Sequence, residues 1–179
     1  MTRLLALLRA VNVGGRKLPM ARLRDVCASL GWRDVATYIQ SGNVVFTADG
    51  KAEAIETELE QAIEQEFGLD VPVIVRSAAQ WARLADSNPF AKAAAEAPNR
   101  LQLLVSKRPP ARDAAQKLMV RALAGEQVEA VPGGLWFHFP EGVARSKLTP
   151  SLFDKACGSP ATGRNYRTVQ RLRNMLESC

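Results

Sequence analysis

The fold of this chain is decided by two short segments, Leu7-Leu8-Arg9-Ala10-Val11-Asn12-Val13-Gly14-Gly15 and Thr37-Tyr38-Ile39-Gln40-Ser41-Gly42-Asn43-Val44-Val45-Phe46. In each segment an apolar stretch that is typical of a β-strand runs directly into polar and glycine-rich residues. This pattern indicates strands that deliver hydrogen-bonding groups to one end of a sheet. It therefore predicts where a ligand would bind, and it names no reaction.

Residues 1–77 are predicted to form a ferredoxin-like α+β domain with the element order β-α-β-β-α-β. Strands are expected at 3–13, 35–40, 43–47 and 71–75, with Ser41-Gly42 closing a two-residue hairpin. The first helix is expected to begin at Pro19 and the second, 51–67, to end at Gly68. On the second helix the expected outward acidic face consists of Glu53, Glu56, Glu60 and Glu64.

Residues 78–179 are predicted to form a second α+β domain with the order β-α-β-β-α and a basic C-terminal helix. Its strand at 101–105 precedes a helix that opens at Pro109-Pro110 and ends at Gly125. A hairpin around Gly133-Gly134 follows. An irregular basic stretch, 142–163, then leads to a final helix over about 164–176.

The positive charge of the chain is concentrated at its two ends. The formal net charge is +6, with +6 carried by residues 1–33, −7 by residues 34–76 and +5 by residues 145–179. A basic surface permits an anionic partner, and nucleic acid is one such partner. Basic ends therefore keep a nucleic-acid-binding hypothesis open.

Cysteine and histidine usage indicates neither a metal site nor a disulfide framework. The three cysteines, at 27, 157 and 179, form no C-x-x-C pair, and His138 is the single histidine. A reduced, cytoplasmic location is expected. The apolar run 4–8 is too short to span a membrane, so no membrane partner is expected.

The two segments quoted at the start, residues 7–15 and 37–46, are predicted to share one site. In a right-handed β-α-β unit the first and second strands run parallel, so the loops that follow them lie at the same end of the sheet. Glycine backbone, a helix start and cations together favour a phosphate or a carboxylate. The alternative is structural, with a flexible turn and a tight hairpin. The predicted ligand-binding residues are Arg9, Asn12, Gly14, Gly15, Arg16, Lys17, Gln40, Ser41 and Asn43.

The final helix supplies a second predicted group of ligand-binding residues. Thr162 is expected to cap its start, which places Arg164, Asn165 and Arg167 in or just after the first turn. An anion, from a ligand or from an acidic side chain, is expected there because cations are unfavourable at a helix start. The alternative is a solvated basic face. His138 is expected to be an ordinary half-exposed residue, and no catalytic nucleophile or base is predicted.

These motifs resemble a bacterial family of uncharacterised proteins, the domain of unknown function numbered sixteen ninety-seven. The resemblance begins with the two opening segments and continues in Asn88-Pro89-Phe90, Arg145-Ser146-Lys147 and the segment Thr162-Gly163-Arg164-Asn165-Tyr166-Arg167-Thr168-Val169. Ala10 stands where the family often has glycine, and Tyr166 where it often has tryptophan. The resemblance implies an α+β fold and brings no activity, cofactor or catalytic residue.

The leading functional hypothesis is binding of a small anionic ligand, phosphorylated or a nucleotide, at the polar end of the first sheet. The second hypothesis is a nucleic-acid-binding module that uses the basic terminal regions. The third is a protein-interaction module whose acidic second helix meets a basic partner. The sequence leaves cofactors, enzymatic activity and oligomeric state open.

Overall fold

The computed structural model describes residues 1–178, so Cys179 lies outside the described residues. Within these residues the chain has an α+β fold with eight β-strands in two four-stranded antiparallel sheets and seven α-helices. The strands are β1 Thr2–Leu8, β2 Arg33–Tyr38, β3 Asn43–Ala48, β4 Val73–Ser77, β5 Leu101–Ser106, β6 Gln127–Val131, β7 Gly134–His138 and β8 Ala161–Asn165. The helices are α1 Met20–Ser29, α2 Ala52–Phe67, α3 Ala78–Asp86, α4 Ala91–Glu96, α5 Ala114–Met119, α6 Pro150–Cys157 and α7 Tyr166–Glu177.

The chain forms two compact units. The first unit consists of Met1–Trp81 together with residues 174–178, and the second consists of Ala82–Arg173. No helix within residues 1–178 is both long enough and apolar enough to cross a membrane.

The first sheet has the strand order β2-β3-β1-β4, and its elements follow the predicted order β-α-β-β-α-β. The central strand β1 pairs antiparallel with β3 on one side and with β4 on the other. Leu4, Ala6 and Leu8 of β1 join the hydrophobic core of the first unit, together with residues of α1 and α2. Within that core the rings of Trp32 and Phe46 stack with their centroids 4.0 Å apart.

The two helices of the first sheet begin and end close to their predicted positions. Pro19 has an extended conformation directly before α1, and Gly68 adopts the left-handed conformation that ends α2. The hairpin between β2 and β3 differs from the prediction, because Tyr38 pairs with Asn43 and four residues form the turn. The predicted two-residue hairpin is therefore wrong.

The predicted outward acidic face of α2 is wrong for two of its four glutamates. Glu56 is buried, and its Oε1 accepts a hydrogen bond of 2.8 Å from the backbone N–H of Val75. Glu60 Oε1 accepts a bond of the same length from the N–H of Val73. Because β4 lies at the edge of its sheet, these carboxylates occupy N–H groups that an edge strand otherwise exposes.

The second sheet has the strand order β6-β7-β5-β8, which is the order of the first sheet. The sequence prediction missed α6 and β8 inside the stretch that was expected to be irregular, and it made α5 too long. Thr162 lies in β8, where it pairs with Val105 of β5, and so it does not cap a helix. Helix α7 begins at Tyr166, and Asn165 Oδ1 accepts a hydrogen bond of 2.9 Å from the N–H of Thr168. Asn165 is therefore the N-cap.

Candidate functional site

One end of the first sheet brings together the loop after β1, residues 9–18, and the turn between β2 and β3, residues 39–42. We call these two segments the first-sheet site. The N–H of Leu8 donates to Gly42 O at 2.8 Å, and Asn12 Nδ2 donates to Gln40 O at 2.7 Å. The predicted convergence of the two segments at one sheet end is confirmed.

Asn12 holds the two segments together by hydrogen bonds to backbone groups. Besides its bond to Gln40, Nδ2 donates to Leu18 O at 3.0 Å, and Oδ1 accepts from the N–H of Leu18 at 2.8 Å. Its backbone N–H donates to Arg16 O at 2.8 Å. These bonds account for both amide N–H donors and for one acceptor position of the side chain. Asn12 therefore acts on the shape of the site.

Asn43 and Gly42 shape the turn. The buried side chain of Asn43 donates from Nδ2 to Tyr38 O at 2.8 Å and to Ser41 Oγ at 3.0 Å. Gly42 has φ +76°, and a Cβ built on it would lie 2.7 Å from Leu8 Cβ. Only glycine combines this backbone conformation with so close a contact.

Gly14 and Gly15 form the exposed tip of the site. The N–H of Arg16 donates to Val13 O at 3.2 Å, which closes a four-residue turn around the two glycines. Their φ values of +58° and +84° are those of a type I′ turn. A Cβ built on either glycine would meet nothing within 4 Å. Space for a ligand is therefore open directly above this backbone.

The charged and polar side chains of the site differ in their exposure and in their hydrogen bonds to the rest of the protein. Arg16 Nη2 donates to the backbone carbonyl of Asp70, whereas Lys17 and the side chain of Gln40 are exposed. The side chain of Arg9 belongs to a half-buried residue, whose backbone N–H donates to Pro72 O at 3.0 Å. Of the cations predicted for this site, Lys17 therefore has the greatest freedom to reach a ligand.

Apolar side chains flank the same polar residues. Val13 is 57% exposed and Ile39 is 49% exposed, although large aliphatic side chains are usually buried. Val13 directly follows Asn12 in the chain, and Ile39 directly precedes Gln40. Polar and apolar surface are therefore both available at this sheet end.

Backbone strain is concentrated at the first-sheet site. Four non-glycine residues within residues 1–178 have positive φ, and three of them, Ala10, Asn12 and Ile39, belong to this site. Positive φ is uncommon outside glycine, and for the β-branched Ile39 it is a genuine outlier. Residues in sparsely populated conformations cluster at ligand-binding and active sites.

The second predicted group of ligand-binding residues belongs to the second unit, where its arrangement differs from the prediction. Arg164 is buried in β8, and its Nη1 donates to Thr162 Oγ1 at 2.7 Å and to Gly163 O at 2.9 Å. Burial lowers the pKa of Arg164 to about 10, so it remains a cation at neutral pH. Asn165 caps α7, and both Asn165 and Arg167 are exposed residues. The predicted place of Arg164 at the helix start is therefore wrong, because Arg164 belongs to β8, whereas Asn165 and Arg167 lie at the start of α7.

A structural role of the Arg145-Ser146-Lys147 motif escaped the sequence prediction. Ser146 Oγ donates to Glu126 Oε1 at 2.5 Å, and Glu126 Oε2 accepts from the N–H of Ala124 at 2.8 Å. Burial raises the pKa of Glu126, but the hydrogen bonds from Ser146 and from backbone N–H groups outweigh burial and lower it overall. The sequence offered no signal for this pair, because twenty residues separate its members.

The described cysteines are unsuited to nucleophilic chemistry. Burial raises the pKa of Cys27 to about 12, and burial also raises the pKa of Cys157. Both side chains are therefore thiols at neutral pH, and the reactive form of cysteine is the thiolate. Within residues 1–178, no three His, Cys, Asp or Glu side chains are grouped so that they could hold a metal ion.

Comparison with known proteins supports the fold and the family. The structure of the conserved bacterial protein SP0830 from Streptococcus pneumoniae is similar, with a TM-score of 0.74 over 99% of each chain. At 22% sequence identity this likeness concerns the fold alone. No curated protein matches this chain. The family described as "Protein of unknown function (DUF1697)" matches residues 1–136, and the chain belongs to this family.

Proposed function

We propose that the first-sheet site binds a small anionic ligand that carries a phosphate group, with a nucleotide as the best fit. The observation that carries this proposal is the strained backbone of Ala10, Asn12 and Ile39 at a single sheet end. Strain of this kind costs about 1–3 kcal/mol per residue, and it is maintained where the geometry serves a function.

The chemistry of the exposed groups supports an anion. The backbone N–H groups of Gly14 and Gly15 are at the exposed tip of the loop, and successive N–H groups in turns form concave sites for anions. Lys17 adds an exposed positive charge, and the side chain of Gln40 adds a donor and an acceptor. In this proposal Asn12 and Asn43 hold the two segments in place, and Arg9, Arg16 and Ser41 border the ligand.

The exposed apolar residues favour a ligand with a ring over a bare phosphate. Val13 and Ile39 offer aliphatic surface that inorganic phosphate leaves in water, whereas a nucleotide base covers it. The proposal includes no catalytic step.

We further infer that both units have ferredoxin-like topology, so that the second half of the chain repeats the architecture of the first. Both sheets place their strands in the order second-third-first-fourth. In both units a helix follows the first strand and another follows the third. Ferredoxin-like folds host many unrelated functions, so this inference carries no activity by itself.

The proposal is tested by calorimetric titration of the protein with adenosine monophosphate, inorganic phosphate and adenosine. We expect adenosine monophosphate to bind most tightly, because it alone offers both a charge and a ring. Lys17→Gln should weaken binding about tenfold by removing a charge-assisted hydrogen bond. Lys51→Gln is the matched control, since it removes an exposed lysine of the first unit outside the site.

A single-stranded RNA oligonucleotide, titrated at rising salt, separates this proposal from the nucleic-acid alternative. Binding of the oligonucleotide that falls steeply with salt, without binding of the mononucleotide, supports the nucleic-acid module. Equal loss of mononucleotide affinity in Lys17→Gln and Lys51→Gln, or no binding of any probe, overturns the proposal.

A further inference from the structure

A cleft of about 500 Å³ lies in the second unit, beside α4, and the first-sheet site shares no residue with it. We call it the α4 cleft. The aromatic, charged and polar side chains that line it are those of Phe90, Lys92, Glu96, Arg100, Gln127 and His138. Small-molecule sites typically have volumes of about 300–1,000 Å³, so this cleft has the size of a binding site.

Two rings form one wall of the α4 cleft. The centroids of Phe90 and His138 lie 5.8 Å apart, and the rings are tilted by 40°. This separation is within the range of attractive aromatic pairs, and both side chains are half-buried. A flat ligand ring can therefore extend an aromatic contact that the protein already makes.

The rings are held in place by local hydrogen bonds. The N–H of Phe90 donates to Asn88 Oδ1 at 3.0 Å, which explains why asparagine precedes Pro89-Phe90 in this motif. His138 Nδ1 lies 3.2 Å from Gln127 Oε1 across the hairpin of β6 and β7. Gln127 Oε1 can accept a hydrogen bond from Nδ1–H, which orients the ring.

The charges of the cleft favour an anion. Lys92 and Arg100 contribute two cations against the single carboxylate of Glu96, and all three side chains belong to exposed residues. Arg100 directly precedes β5, and its carbonyl accepts a hydrogen bond of 2.8 Å from the N–H of Phe139. The backbone of Arg100 is therefore fixed next to the ring wall. A guanidinium binds carboxylate or phosphate by two parallel hydrogen bonds.

We propose that the α4 cleft binds a small organic anion with a flat ring, an aromatic carboxylate or an aromatic phosphate monoester. The ring packs against Phe90 and His138, and the anionic group pairs with Arg100, with Lys92 adding charge. This is a second binding site, which goes beyond the function proposed for the first unit. It also gives the Asn88-Pro89-Phe90 motif a role, since the motif supplies one of the two rings.

The test is a titration of ¹⁵N-labelled protein, followed by nuclear magnetic resonance, with phenyl phosphate and benzoate as the two anionic aromatic probes. Inorganic phosphate and benzyl alcohol each carry one of the two features and serve as comparison probes. At about 1 mM probe we expect the amide signals of residues 90–100 and 127–138 to shift. The tighter of phenyl phosphate and benzoate identifies the anionic group.

Three variants assign the two parts of the proposed contact. Arg100→Gln should weaken phenyl phosphate and benzoate about tenfold while leaving benzyl alcohol unchanged. Phe90→Leu should weaken the aromatic probes while leaving inorganic phosphate unchanged. Arg112→Gln removes an exposed arginine of the second unit outside the cleft, and it should change nothing.

The proposal is overturned if phenyl phosphate and benzoate shift no signals of the cleft. It is also overturned if inorganic phosphate and benzyl alcohol bind as tightly as phenyl phosphate and benzoate. Equal effects of Arg100→Gln and Arg112→Gln would also overturn it, because the interaction would then follow net charge. Signals of residues 9–18 report on the first-sheet site in the same spectra. Failure of one site is therefore distinguishable from failure of the other.

Discussion

Replacing Glu56 with alanine should destabilise the protein far more than replacing another glutamate of the same helix. Glu56 is only 3% exposed, and its carboxylate accepts the N–H of Val75 on the edge strand β4 at 2.8 Å. Its charge also acts on Arg76, whose pKa is lowered by burial and raised by Glu56. Glu56→Ala removes both interactions at once.

The expected magnitude follows from these two contacts. A buried N–H group that loses its acceptor costs about 1–3 kcal/mol, and loss of a partner to a largely buried charge adds to that cost. We therefore expect the free energy of unfolding to fall by about 3 kcal/mol for Glu56→Ala. For a chain of this size that corresponds to a decrease of about 6–12 °C in Tm.

Two further variants separate the hydrogen bond from the general effect of losing a glutamate. Glu56→Gln retains an oxygen acceptor for Val75 and should cost about half as much as Glu56→Ala. Glu64→Ala is the matched control, because Glu64 is an exposed residue of the same helix and its loss should cost less than about 0.5 kcal/mol.

Urea denaturation gives the free energies, and hydrogen exchange of the Val75 amide reports on the bond itself. In Glu56→Ala that amide should exchange faster relative to the amides of β1, which keep their partners. Equal stabilities of Glu56→Ala and Glu64→Ala, with unchanged protection of Val75, would refute the assignment of Glu56 to the strand edge.

Two other predictions concern the second unit and the first-sheet site. Because the folded-state pKa of Glu126 is lowered, its carboxylate stabilises the fold above the unfolded-state value of 4.5, and this contribution is lost as the pH falls through the folded-state pKa. Ser146→Ala should therefore lower stability by about 1 kcal/mol at neutral pH, and the Tm values of wild type and variant should converge as the pH falls through the folded-state pKa of Glu126; a difference that is constant with pH would contradict the pairing. Gly42→Ala should destabilise by about 3 kcal/mol in urea denaturation, because its Cβ would meet Leu8 Cβ at 2.7 Å, whereas Gly14→Ala, with open space around it, should cost only about 1 kcal/mol. Equal costs would show that the left-handed backbone dominates at both glycines.

The sequence predicts most of the fold where local signals agree with tertiary contacts. Pro19 and Gly68 mark real helix boundaries, and the apolar run of β1 lies at the centre of its sheet. Strand β8 has no such local signal, because Ala161–Asn165 contains a glycine, an arginine and an asparagine. It becomes a strand by pairing with β5, which is a contact between residues distant in sequence.

The candidate site is predictable in position and less so in roles. Strand direction alone places residues 9–18 beside residues 39–42, and the bond between Asn12 and Gln40 confirms this. The sequence does not reveal that the side chains of Asn12 and Asn43 bind backbone carbonyls. An asparagine amide can bind either a turn or a ligand, and only the three-dimensional contacts distinguish the two. The buried position of Glu56 is unpredicted for a related reason. The 3.6-residue periodicity predicts which side chains share a face of α2, and it does not predict that the edge of a strand lies next to that face.

The division of the first unit between two stretches of chain has a consequence for the order of folding. Residues 174–178 complete that unit, and Arg3 Nη2 donates to Met175 O at 3.5 Å across a separation of 172 residues. A ribosome synthesises residues 174–178 only after it has made the whole of Ala82–Arg173. The first unit can therefore be completed only after the second unit has been made, and a fragment cut after Trp81 would lack the buried side chain of Leu176.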